Sequence, residues 1–420
     1  MIKKKISSLL QSEYVSNISI QVLGTGIAQL IPLLIMPILS RVYNEDTFAS
    51  YATFIAVSGV LSVVTGARYH LAIVLPNSQK EAYNIFLVSV YFSFIYAILI
   101  FVGISVFNFY FENLSNVRWS SFLIPLYVLF YGIWLSIINL SIRDKKFKIN
   151  SFSKIIQASG NGFFSLSFGL LNVSSGLIFG KILGVFSSIL FLKYKLNIKS
   201  KLKISYQDFM IIVKKYKDFP KYGILPSFLD AASLQAPVFI IGSFYTVKQL
   251  GFYGFTVMAL AGPMSIIAVS FKDVFYQKIA ETYNQEKFNV IRKIYKTSAL
   301  TLLFIGIPIL LIVIFFGEQL FSLIFGENWT TSGIYAKILV GSFVIKLIVS
   351  PLSTIFNVVK KLNILSMWQI IYFFTTFITL ILAVVKFEVT LINLLYIYLI
   401  HELILYTFYF YLQYRTIKKL

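Results

Sequence analysis

The chain has 420 residues, of which 58% are hydrophobic and only 13% charged; with a mean hydropathy of +0.81 it has too little polar surface to coat a soluble fold and describes an integral membrane protein. A formal charge of +21 would point to nucleic acid in a soluble protein, but membrane topology accounts for it and removes nucleic acid as a partner. The absence of cysteine excludes disulfides and cysteine metal sites, and two histidines, His70 and His401, are too few for a histidine metal cluster.

Apolar runs of about 20 residues, the length at which a helix crosses a roughly 30 Å hydrocarbon core, recur along the whole chain. The first, 17–39, follows Lys3, Lys4 and Lys5 but has no small-residue cleavage site behind it; Pro32, Pro37 and Arg41 follow instead, so it reads as a retained helix. Further runs cover 47–67, 83–107, 121–142, 151–172 and 174–194. The basic stretch from Lys193 to Lys221 separates these from 222–245, 250–275, 297–316, 333–356, 363–386 and 389–413. The runs are continuous and more than twice a barrel strand's length, which predicts an all-α bundle of 12 transmembrane helices.

Of the 37 Lys and Arg residues, 30 fall in alternate loops, on the side of the N-terminus. The heaviest contributors are Arg143 to Lys154, Lys193 to Lys221 and Lys272 to Lys296. Only Arg41, Arg118, Lys248 and Lys386 fall on the other side. The positive-inside rule therefore predicts that both termini are cytoplasmic, which requires an even helix count. The same basic loops attract anionic membrane lipids.

The long basic stretch divides the chain into a six-helix N-terminal lobe, 1–200, the end of the inter-lobe loop, 201–221, and a six-helix C-terminal lobe, 222–420. Short echoes link the lobes. Gln29 to Pro32 resembles Gln235 to Pro237, and Phe48-Ala49-Ser50-Tyr51-Ala52 resembles Leu250-Gly251-Phe252-Tyr253-Gly254. Six helices per lobe preserve orientation, so the repeats are parallel, as in transporters that rock two bundles about a central cleft. Pro32, Pro37, Pro226 and Pro237 lie at matched places and are candidate hinges, because an interior proline removes a backbone hydrogen bond and kinks its helix.

No catalytic constellation is present in loops of adequate size, which argues against an enzyme. The segment Gly176-Leu-Ile-Phe-Gly180-Lys181 echoes a phosphate loop, but it is one residue short and lies in an apolar helix, where small residues at this spacing serve packing. No cofactor is predicted, and the energy source is either an ion gradient, of H⁺ or Na⁺, or downhill movement of the substrate.

Charge inside a membrane span is costly, so each such residue needs a partner, a water-filled cavity or a route to the interface. Lys337 lies near a helix end and reaches the interface. Lys346, nine residues further and on the opposite face, either faces a cavity and contacts an anion or pairs with Glu402 at similar depth. Lys181 is a further candidate anion contact. Asp230 and Glu402 are candidates for ion coupling or for a buried pair. Arg68, in Arg68-Tyr69-His70, is a candidate phosphate ligand.

Several segments resemble bacterial polysaccharide-unit flippases of the multidrug/oligosaccharidyl-lipid/polysaccharide superfamily. They are Leu30 to Leu34, Pro37 to Arg41, Phe48, Tyr51, Arg68 to Pro76, Glu81-Ala82, Phe219-Pro220, Gln235 to Val238, Gly251 to Tyr253, Gly326 to Trp329 and Ser350 to Leu352. His70 stands where the family more often has Glu, and Asp230 where Asn is expected. The resemblance implies two six-helix lobes in a V shape in the bacterial inner membrane. It also implies export of an undecaprenyl-pyrophosphate-linked oligosaccharide to the outer leaflet for O-antigen or capsule assembly, with a polysaccharide polymerase and a chain-length regulator as partners. On this reading Lys346 and Arg68 are the first candidates for anion contact. A cation-coupled multidrug antiporter of the same superfamily and a membrane glycan polymerase or ligase are the alternatives.

Overall fold

The computed structural model describes residues 24–110, 120–198 and 204–419. Lys3 to Lys5, Arg118, and Lys199, Lys201 and Lys203 of the charge pattern lie outside the described residues. Every regular element among those described is helical: α1 (Gly24–Val42), α2 (Glu45–Ser62), a 3-10 segment (Thr65–Val74), α3 (Gln79–Tyr110), α4 (Leu123–Arg143), α5 (Phe147–Leu170), α6 (Gly176–Leu196), α7 (Tyr206–Lys215), α8 (Asp218–Phe244), α9 (Val247–Asn284), α10 (Phe288–Phe325), α11 (Thr330–Leu352), a single turn α12 (Ile355–Val358), α13 (Leu362–Val385) and α14 (Leu391–Lys418).

Ten of these helices are long and apolar enough to cross a membrane, and α2 with its 3-10 continuation, bent by 58°, makes an eleventh. The remaining predicted span is α5, whose Ser, Asn and Gly content lowers its hydropathy but suits it to close packing. Together they make a multi-pass membrane protein. Two helices run well past the apolar runs read from sequence. At 38 residues each, α9 and α10 are about 57 Å long, so the basic stretch from Lys272 to Lys296 is helical except for a short turn at 285–287.

The chain forms two compact units whose limits differ from the lobes expected at 1–200 and 222–420. The first holds the described residues up to Ile35 together with Phe54–Ala231, and the second holds Met36–Thr53 together with Ala232 onward. The divisions therefore fall inside α1, α2 and α8 rather than in the basic loop.

In the first unit, α5 and α6 approach through small residues. Gly180 sits against Ser165, Gly184 against the backbone of Gln157 and Asn161, and Gly160 against Gly184; a Cβ at Gly184 would come within 2.6 Å of the Gln157 carbonyl. The Gly176-Gly180-Gly184 spacing is thus a packing stripe. Trp134 Nε1 donates to Ser188 Oγ at 2.9 Å and Ser188 to the Ser153 carbonyl at 2.8 Å, tying α4, α6 and α5 together.

In the second unit an aromatic knot joins the starts of α2 and α9 to the α10–α11 turn. Phe255 stacks on Trp329 at 3.8 Å, Phe48 meets both edge-on, and Trp329 Nε1 donates to the Ser40 carbonyl at 2.9 Å. Gly251 lies against the Glu45 carbonyl and Gly254 against Ala52, contacts that leave no room for a Cβ. The echoing segments Phe48 to Ala52 and Leu250 to Gly254 thus pack on each other, and their shared residues serve the fold.

Candidate functional site

The break after α2 builds the first site. Gly66, Ala67 and Arg68 all have positive φ, at 60°, 45° and 61°. An L-residue in this region costs about 1–2 kcal/mol, and two of the three carry a Cβ. The strain persists because a notch of small polar residues on α3 and α4 receives the segment. A Cβ on Gly66 would collide with Ser89, and one on Gly132 with Thr65 and Ser93. Ser89 Oγ and Ser136 Oγ lie 2.9 Å apart, and Thr65, Ser89, Ser93 and Ser136 have no solvent exposure. Larger side chains there would expel the turn.

The turn aims Arg68 and His70 into a cavity of about 220 Å³ lined also by Ser62, Tyr127 and Tyr131, with no carboxylate among its lining residues. Ser62 Oγ, Arg68 Nε and His70 Nδ1 are buried and have no hydrogen-bond partner among the described residues. Unpartnered buried polar groups cost about 1–3 kcal/mol each, and strained backbone concentrates at functional sites. Gly223 of α8 lies beside the Arg68 side chain, where a Cβ would come within 3.0 Å of Nε. A small, cationic, donor-rich pocket suits a phosphate-sized anion, which the planar guanidinium can grip at two points.

Other residues of the same motif fix the surroundings. Arg143 donates to the Pro76 carbonyl at 2.9 Å and to Gln79, clamping the turn into α3. Glu81 receives Lys215 at 2.5 Å and Tyr216 Oη at 3.1 Å, and Tyr69 Oη donates to the Val213 carbonyl at 3.2 Å. These bonds dock α7, an amphipathic helix inside the basic stretch expected to be loop, onto α3. The hydrogen bond to Glu81 holds the Lys215 ammonium above its ordinary pKa.

The second site lies within the second unit and resolves the two readings of Lys346. Lys346 on α11 forms an ion pair with Glu402 Oε2 at 2.7 Å, donates to Tyr398 Oη at 3.1 Å, and lies over the rings of Tyr398 and Tyr406. Glu402 is wholly buried, accepts from Tyr372 Oη at 2.9 Å, and has His401 Nδ1 3.5 Å away. Tyr398, Glu402 and Tyr406 share one face of α14 at four-residue spacing. The pairing takes up the Lys346 charge, as in the buried-pair alternative for this residue. Sequence reading missed Tyr372, Tyr398 and Tyr406, since nothing but the spacing around Glu402 sets them apart among 27 tyrosines.

Lys337 is likewise paired, with Glu318 at 2.7 Å. Lys181 on α6 and Asp230 on α8 are half-buried and have no ion-pair partner among the described residues. The four candidate hinges bracket the unit limits: Pro32 and Pro37 flank the Ile35–Met36 division in α1, and Pro226 and Pro237 flank the Ala231–Ala232 division in α8.

The fold is that of known transporters. An inward-facing multidrug resistance MATE family transporter of the MOP superfamily matches with a TM-score of 0.67 at 13% identity, covering 96% of this chain and 98% of its own. A MOP superfamily transporter from Pyrococcus furiosus, described as having a binding pocket of reverse polarity that suggests a different function, matches at 0.64 and 14% identity, covering 96% and 94%. An outward-facing MATE family transporter matches at 0.61 and 13%, covering 96% of each chain. No curated protein matches the sequence. A family model described as polysaccharide biosynthesis protein matches residues 38–333, which is well over half the length. The chain is therefore a multi-pass membrane protein of the polysaccharide biosynthesis protein family, built on the fold of MOP superfamily transporters.

Proposed function

We propose that the chain is a flippase that moves an undecaprenyl-pyrophosphate-linked oligosaccharide repeat from the inner to the outer leaflet of the bacterial inner membrane, for O-antigen or capsular polysaccharide assembly. The observation that carries this reading is Arg68, a guanidinium held by strained backbone in a cavity without a carboxylate, in a family of polysaccharide biosynthesis proteins. Charge-assisted hydrogen bonds contribute about 1.5–3 kcal/mol each, so Arg68 and His70 would favour a diphosphate over a neutral glycan. At about 220 Å³ the cavity takes the anionic junction of such a substrate and not its glycan.

Unit limits that cross α1 and α8 between paired prolines support alternating access by bending of continuous helices. Transport runs downhill or is coupled to H⁺ or Na⁺, for which Asp230 is the candidate. Both termini lie in the cytoplasm on the positive-inside pattern. A polysaccharide polymerase and a chain-length regulator would take over the flipped unit.

Asp230, without an ion-pair partner among the described residues, favours a second reading, a cation-coupled multidrug antiporter, since such coupling needs a membrane carboxylate. Deleting the gene separates the readings. The flippase reading expects loss of surface polysaccharide, restored by the wild-type gene, with unchanged drug susceptibility. Raised drug susceptibility with intact polysaccharide would replace it with the antiporter.

A further inference from the structure

The second unit carries a groove remote in sequence from the anion cavity and from the hinges. It runs between α10 and α14 over a floor made by α11, and its volume is about 700 Å³. On α10 it extends from Arg292 to Leu303 and on the antiparallel α14 from Thr407 to Lys418, so its length is about 17 Å on either helix. That is close to half the roughly 30 Å hydrocarbon core, the depth of one leaflet.

The two ends of the groove differ in chemistry. Along most of its length the walls are apolar, with Leu300 and Leu303 facing Phe410 and with Ile348 beneath. At one end stand Arg292, Lys296 and Lys418, and no lining residue is acidic. Arg292 Nη2 donates to the Lys418 carbonyl at 3.2 Å, which draws the cationic groups of the two helices together. The ammonium groups of Lys296 and Lys418 have no ion pair among the described residues.

The geometry points to a binding site for one anionic glycerophospholipid of the adjoining leaflet, with its phosphate among Arg292, Lys296 and Lys418 and an acyl chain along the groove. Apolar walls one leaflet deep match an acyl chain. A polyprenyl chain of eleven units is far too long for a 17 Å channel. Cations confined to the end at headgroup level select net negative charge over a zwitterion. The occupant holds α10 and α14 together at their basic ends, whatever cargo the protein carries, so this inference stands or falls independently of the flippase reading.

Native mass spectrometry of the full chain, released from mild detergent and titrated with phosphatidylglycerol, phosphatidylethanolamine or undecaprenyl phosphate, tests the site. Phosphatidylglycerol is expected to bind about ten-fold or more tightly than phosphatidylethanolamine. The double variant Lys296→Gln/Lys418→Gln should lose most of that preference. Lys293→Gln/Lys419→Gln, which removes two neighbouring exposed lysines outside the groove, should keep it. All four side chains are exposed, so both variants fold. Equal binding of the two phospholipids, preferential retention of undecaprenyl phosphate that Lys296→Gln/Lys418→Gln abolishes, or the same loss in both double variants would overturn the proposal.

Discussion

The Lys346–Glu402 pair makes an asymmetric prediction. Removing one member of a buried ion pair leaves the other charge without compensation and costs about 3–5 kcal/mol, whereas replacing both with uncharged groups of similar size is near neutral. The Glu402 side chain is wholly buried while that of Lys346 is 20% exposed, so the two single losses differ. Lys346→Met strands a wholly buried carboxylate with Tyr372 Oη and the neighbouring His401 but no cation against it, and belongs at the upper end, about 5 kcal/mol. Glu402→Gln leaves an ammonium with some access to water and two aromatic faces, and belongs nearer 3 kcal/mol. The double variant should fall within about 1–2 kcal/mol of wild type, giving a coupling energy of about 6 kcal/mol. Equilibrium unfolding of purified protein in mixed micelles, titrated with sodium dodecyl sulfate, measures all four species. Additive losses in the double variant would show that the charges do not compensate each other, and would return Lys346 to the list of anion contacts.

Gly66→Ala places a Cβ at φ 60° against Ser89 and should destabilise the first unit by about 1–2 kcal/mol or more, measured in the same titration, whereas Ala67→Gly relieves strain and should not. Pro226→Ala and Pro237→Ala restore helical hydrogen-bonding capacity beside the α8 division and should slow transport several-fold without lowering the thermal midpoint. Glu81→Ala removes the acceptor shared by Lys215 and Tyr216, so backbone hydrogen exchange in α7 should quicken several-fold while that in α4 stays unchanged.

The helical architecture was legible because hydrocarbon thickness dictates run length, and because alternating basic loops report which runs cross. α5 shows the limit of hydropathy, since its Ser, Asn and Gly residues read as weakly apolar yet pack closely on α6. The kink after α2 left no trace beyond Gly66, because Ala67 and Arg68 adopt positive φ only through the notch built by Ser89, Ser93 and Gly132. α9 and α10 outran their apolar cores because a helix continues through polar residues once it leaves the bilayer. Among candidate site residues, Arg68 stands out by motif and Lys346 by depth. Pairing of Lys346 with Glu402 depends on how α11 and α14 rotate against each other, which sequence spacing on either helix does not set. Exchange of Met36–Thr53 into the second unit was equally invisible, because the basic loop marks where the chain turns and not where packing divides.

Transfer of a labelled undecaprenyl-pyrophosphate-linked oligosaccharide across proteoliposomes, comparing wild type with Arg68→Lys and Arg68→Gln at matched protein levels, tests the central claim most directly. A bidentate guanidinium contact predicts transfer by wild type, a rate at least about ten-fold lower for Arg68→Gln, and an intermediate rate for Arg68→Lys, which keeps the charge but loses the fork. Failure of the wild-type protein to transfer the lipid-linked glycan, or transfer by Arg68→Gln at the wild-type rate, would contradict it.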